Sequence, residues 1–141
     1  MLVADADVPH QVIAALQAVR YDIKLYSELN LPVRPDEALA DGVKQLGGIL
    51  LTMDLGIPSD AYIEALARGG LTVVVLRWKQ SRPVDWQEMV VAILKEGAAW
   101  AAAAAEAPCV ISVNRTRTRI RRWDDLPPRP RVTGTRVGDE A

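Results

Sequence analysis

Two short apolar runs in this chain end on acids. Leu2-Val3-Ala4 stops on Asp5, with Asp7 two positions on, and Ile49-Leu50-Leu51-Thr52-Met53 stops on Asp54. Carboxylates gathered within a few ångströms do not all stay ionised unless positive charge sits between them. Magnesium or manganese suits that place, because hard cations take oxygen ligands and usually retain waters. Such an ion binds a phosphodiester oxygen, makes an attacking water more acidic and, with a second ion about 4 Å away, steadies the leaving oxygen. The acids therefore point to metal-dependent phosphodiester hydrolysis, provided that the fold brings the two strand ends together.

The elements that must do so are readable from periodicity. The run from Ile49, bounded by Gly48 on one side and by Gly56 and Pro58 on the other, reads as a strand buried on both faces. Residues 71–76 and 109–113 read as further strands, and residues 21–26 as a less buried one. A helix is expected over residues 8–19, with Asp7 at its N-cap and Pro9 in its first turn. Asp36 and Glu37 open a second helix that Gly47-Gly48 ends, and Pro58-Ser59-Asp60 opens a third that Gly69-Gly70 ends. Residues 85–96 carry a helical apolar stripe, and residues 100–107 have high helix propensity. Gly97 between them leaves open whether they form one helix or two. Asn114-Arg115 reads as a turn, with residues 116–122 as the hairpin partner of the strand before it.

Strands alternating with helices predict an α/β fold, with a mostly parallel sheet covered on both faces and a C-terminal β-hairpin. In such sheets right-handed crossovers bring all the parallel strands to end at one edge, where the following helices begin. Asp5, Asp7, Asp36, Glu37, Asp54 and Asp60 all belong to that edge. If the first strand lies between the second and third, the edge also holds the switch point where ligands usually bind. Asp7, Asp36 and Asp60 suit ordinary helix N-termini as well. Asp54 suits a local turn with its own backbone, but two acids at the ends of neighbouring apolar strands, Asp5 and Asp54, call for a further reason.

The chain has 141 residues, half of them hydrophobic, which suits one domain. That domain is expected over residues 1–123. Residues 124–141, rich in Pro, Arg, Gly and Thr without periodicity, read as a disordered tail. The net charge of −1 conceals an acidic front and a basic back. Arg115, Arg117, Arg119 and Arg121 alternate along the expected hairpin strand, so they would share one face as a phosphate-tracking stripe for RNA or as a charged protective edge. Cys109 is the only cysteine, which excludes an intrachain disulfide and a zinc–thiolate cluster and fits a cytoplasmic protein. No apolar run approaches the roughly 20 residues that cross a bilayer. His10, the only histidine, reads as a polar surface residue, and the four tryptophans as core or interface.

Taken together, Asp5-Ala6-Asp7-Val8-Pro9, Asp36-Glu37-Ala38-Leu39 and Ile49-Leu50-Leu51-Thr52-Met53-Asp54 resemble the successive motifs of a small bacterial PIN-like family. Those proteins open with a D-E-N-L-P-type segment, follow with D-E-x-(I/L) and then place an apolar strand before T-x-D. Arg119-Ile120-Arg121 resembles their C-terminal R-I-R segment. The resemblance implies a three-layer α/β/α PIN-like fold and a magnesium-dependent ribonuclease, the toxin of a toxin–antitoxin pair. Carried over by residue, its catalytic acids are Asp5, Asp36 with or without Glu37, and Asp54; Asp7, which follows Ala6, and Asp60, one helical turn past the missing second acid, complete the candidate metal ligands. RNA, an antitoxin protein and a second copy of the chain are the partners it implies. Ala6 stands where the family usually has Glu, and Gly56 where many members have a second Asp. A non-catalytic PIN-like scaffold that binds partners through apolar helix faces and its Trp-bearing C-terminal region is the alternative.

Overall fold

A computed structural model describes residues 1–32, 35–53, 60–79 and 81–122, with the backbone alone at residues 36 and 60–62. Asp54, Gly56, Trp123 and the tail expected to be disordered lie outside the described residues. Six strands form one sheet: β1 (Leu2–Ala4), β2 (Ile23–Leu25), β3 (Ile49–Met53), β4 (Val73–Leu76), β5 (Cys109–Val113) and β6 (Thr118–Arg122). Their order is β2-β1-β3-β4-β5-β6. All neighbours run parallel except β6, which closes the hairpin antiparallel to β5. The first strand thus lies between the second and third, as a switch point at its end requires.

Among the described residues four α-helices cover the sheet: α1 (His10–Ala18), α2 (Asp36–Gln45), α3 (Asp60–Arg68) and α4 (Pro83–Glu106). Because successive strand residues face opposite sides, each central strand feeds two cores. Leu2, Ala4, Leu51, Met53, Val74, Leu76 and Ile111 pack with Val12 and Leu16 of α1 and Met89, Ile93 and Trp100 of α4. Val3, Leu50, Val73, Val75 and Val110 pack with Leu39 and Val43 of α2 and Ile63 and Ala67 of α3. Every residue of β3 is buried, which is why that strand reads as continuously apolar with a single hydroxyl, Thr52. The architecture is therefore α/β, with helices on both faces of a mostly parallel sheet.

Several boundaries differ from the sequence-based expectation. The first helix begins at His10 behind Pro9, with no side-chain cap, so Asp7 is not its N-cap residue. The second strand is shorter than expected because Tyr26–Leu29 winds into a 3-10 turn, where Glu28 accepts from the Leu25 N–H at 2.8 Å and from Gln17 at 2.9 Å. Gly47, at φ 68, ends α2 in the left-handed conformation that favours glycine. The two helical stretches on either side of Gly97 are one helix of 24 residues. Gly97 is buried in it because Tyr21 packs there. A Cβ at that position would overlap the Tyr21 hydroxyl and stand 3.0 Å from Cζ.

That close approach gives a test of the packing between Tyr21, just before β2, and α4. Alanine is favoured over glycine in helix interiors by about 1 kcal/mol, whereas overpacking a core costs about 1–3 kcal/mol. Gly97→Ala is therefore expected to lower stability in chemical denaturation despite its helix propensity. In a Tyr21→Phe background, which removes the overlapping hydroxyl, the loss should shrink.

Candidate active site

Where β1 ends, Asp5 continues the ladder, its N–H donating to the carbonyl of Leu51 at 2.9 Å. The chain then turns sharply, with the Val8 N–H donating to the Asp5 carbonyl at 3.1 Å and the Ala6 N–H to Asp5 Oδ1 at 2.6 Å. This turn swings Asp7 back over the end of β3. Its Oδ1 accepts from the Met53 N–H at 3.1 Å, and the Thr52 hydroxyl lies 3.2 and 3.1 Å from its two oxygens. The same hydroxyl is 3.5 Å from Asp5 Oδ2. Two carboxyl groups thus converge on one hydroxyl whose single proton serves one oxygen at a time.

Half-buried, Asp7 is costly to ionise. Burial pushes its carboxyl up from 3.8 to about 6, and the charge of Asp5 adds to the rise. The Met53 N–H and the Thr52 hydroxyl pull in the other direction without overcoming it. Two oxygen-rich side chains, one short of compensating positive charge, form a donor set that suits a hard divalent cation. Among the described residues no group of three or more acids, histidines or cysteines is placed to hold a metal ion.

The other expected acids are distributed as follows. Asp36 and Asp60 are the first residues of α2 and α3, which begin at the edge where β1 and β3 end. Their side chains, and Asp54 altogether, lie outside the described residues. Glu37 is exposed on the first turn of α2. His10 is exposed at the start of α1, and Cys109 is buried, with burial raising its thiol. Trp78 and Trp100 belong to the core.

The chain matches no protein-family model, no curated protein and no solved structure.

The arginine alternation is divided by the structure. Arg117, Arg119 and Arg121 line a groove of about 290 Å³ together with Arg77, Ser112 and Asn114. Arg115 departs from this stripe because the turn before β6 redirects it, with Asn114 Oδ1 accepting from the N–H groups of Thr116 and Arg117. Its guanidinium instead pairs with Asp85 at 2.9 Å and Glu88 at 2.8 Å on α4. Hydrogen bonds from the Arg82 side chain and N–H, aided by the Arg115 charge, hold the buried Asp85 below the ordinary carboxylate range.

Sequence reasoning did not select Thr52 or Arg77 as site residues. For Thr52 the available signal was a lone hydroxyl in a strand buried on both faces. For Arg77 it was a charge directly after the last apolar residue of β4.

The raised Asp7 carboxyl makes a prediction about the metal-free protein. The folded chain holds this proton up to about pH 6 and the unfolded chain only to about 3.8, so stability falls as pH rises through that window. The full shift is worth roughly 3 kcal/mol, and solvent around the half-buried group screens it to about 1–2 kcal/mol. Asp7→Asn keeps an acceptor for the Met53 N–H and should stabilise the protein by that amount at pH 7, with no gain below about pH 3.8. A carboxyl carbon NMR titration of Asp7 should show a midpoint near 6. A midpoint near 4 would contradict the burial of its charge.

Proposed function

We propose that this protein is a metal-dependent phosphodiesterase that hydrolyses RNA, with its active site at the ends of β1 and β3. The observation that carries the reading is the convergence of Asp5 and Asp7 on the Thr52 hydroxyl at the switch point of a parallel sheet, with burial holding Asp7 near 6. Two half-buried acids in that position, one of them held high by burial and its neighbour's charge, would be relieved by a cation. The motif likeness to PIN-like ribonucleases supports RNA as the substrate, and it adds Asp54 and Asp36 to the acid set.

Each described residue has a definable task in this reading. Asp5 and Asp7 supply carboxylate oxygens to magnesium or manganese, and the Met53 N–H and Thr52 hydroxyl fix the orientation of Asp7. When bound, the metal supplies charge neutralisation of the phosphate and a more acidic attacking water. In the net reaction water adds to phosphorus, one ester P–O bond breaks, and the proton lost by the water is returned to the leaving oxygen. In the metal-free protein Asp7 is held partly protonated near neutral pH, and a cation bound beside it would keep it ionised. Thr52 is a positioning residue, since it touches the acids rather than the reacting atoms.

Calorimetric titration with magnesium or manganese, paired with an RNA cleavage assay at each metal level, tests this function. Wild-type protein is expected to bind metal and cleave RNA. Asp5→Asn and Asp54→Asn should each abolish cleavage, a loss of at least a hundredfold on the scale of removing an electrostatic catalytic group. Absence of both metal binding and cleavage in the wild-type protein would remove the hydrolytic reading.

A further inference from the structure

The face of the sheet that carries the acids also carries a line of arginines, and one register row joins them. Thr52 pairs with Val75, Val75 with Ser112, and Ser112 with Arg119. Leu50, Val75 and Val110 place this row on the side covered by α2 and α3, and Arg121 reaches Glu64 of α3 on that same side at 3.5 Å. Three inter-strand spacings, roughly 14 Å, separate Thr52 from Arg119. Arg77 directly follows β4 at the edge where β1 and β3 end, and its Nε donates to the Ser112 hydroxyl at 3.2 Å.

Two of the charges in this groove, Arg117 and Arg119, differ from the other hairpin arginines, which are each paired with an acid. Arg115 is paired with Asp85 and Glu88, and Arg122 pairs with Glu106 at 2.9 Å while donating to the carbonyls of Ala103 and Ala107. Among the described residues Arg117 and Arg119 form no ion pair, and both are exposed. Adjacent like charges without acids between them repel one another, a cost that an anionic ligand would remove. Arginine forks match phosphate oxygens in pairs. Alternate residues of an extended strand stand about 6.6 Å apart, comparable with the separation of successive phosphates in an extended nucleic-acid strand.

We propose that Arg77, Arg117, Arg119 and Arg121 form a groove that binds successive phosphates of a single RNA strand, and that this strand continues past Arg77 along the edge where β4, β3 and β1 end, toward Asp5 and Asp7. The direction of the path rests on the hydrolytic reading of the acids, whereas the groove's affinity for phosphate does not. A groove of about 290 Å³ lined by the hairpin and Arg77 suits one backbone rather than a duplex.

Fluorescence anisotropy with a labelled twelve-nucleotide single-stranded RNA, in EDTA so that cleavage plays no part, tests the groove. Arg117→Ala combined with Arg119→Ala is expected to weaken binding at least tenfold and to lower the slope of log affinity against log salt by about 1.4, two phosphate contacts' worth for single strands. The charge-matched pair Lys24→Ala and Lys95→Ala, both exposed and outside the groove, should stay within twofold of wild type. Thermal melting confirms that both double variants are folded. Asp5→Asn should retain RNA binding in EDTA while losing cleavage in a separate assay with magnesium. Should Asp5→Asn still cleave while the arginine variant loses binding, the groove stands and the hydrolytic assignment falls. Wild-type affinity in the arginine variant, or equal losses in the lysine control, would overturn the groove. Competition by a polyglutamate peptide as strong as that by unlabelled RNA would also overturn it, in favour of an acidic polypeptide.

Discussion

The bond from the Met53 N–H to the carboxyl of Asp7 ties the end of the first strand to the end of the third across 46 residues of chain. The candidate chemistry depends on it. It requires the turn after Ala4 that carries Asp7 away from α1, and it requires β3 to lie directly beside β1. It also fixes the Thr52 hydroxyl between two carboxyl groups. A buried strand with a hydroxyl at its penultimate position would otherwise leave that group short of an acceptor.

The two-sided core is what holds these strand ends in place. Leu51 and Met53 are locked against α1 and α4, while Leu50 packs against α2 and α3. A one-residue slip of β3 would send each of these side chains to the wrong core and remove Thr52 from the acids. Precision at the site is thus a by-product of register, and register is set by apolar burial on both faces. The same logic orders the other half of the face, where Ser112 and Arg119 stand opposite each other because β5 and β6 pair antiparallel.

Much of this was legible before the structure. The apolar runs marked β1, β3 and β5, and the paired glycines marked the ends of α2 and α3, because burial and left-handed backbone leave strong local signals. The position of Asp5 at a strand end was readable for the same reason. Asp7 was less transparent, since an acid before Pro9 looks like a cap, and only the tertiary bond to Met53 distinguishes the two roles. Gly97 looked like a break because its reason lies in Tyr21, 76 positions away. Arg115 fell on the expected stripe by alternation, but the Asn114 turn and the acids of α4 take it elsewhere. Each of these differences comes from a partner distant in sequence, which periodicity does not report.

Manganese is paramagnetic and broadens the resonances of nearby amides, so a manganese titration followed by amide NMR spectroscopy locates a cation without reference to catalysis. Ala6, Asp7, Thr52 and Met53 are expected to broaden first, at metal levels that leave the far corner of the sheet around Arg122, opposite Cys109 at the start of β5, unchanged. Broadening centred on another part of the chain, or none at these four amides at saturating manganese, would contradict the claim that the ends of β1 and β3 form the metal site.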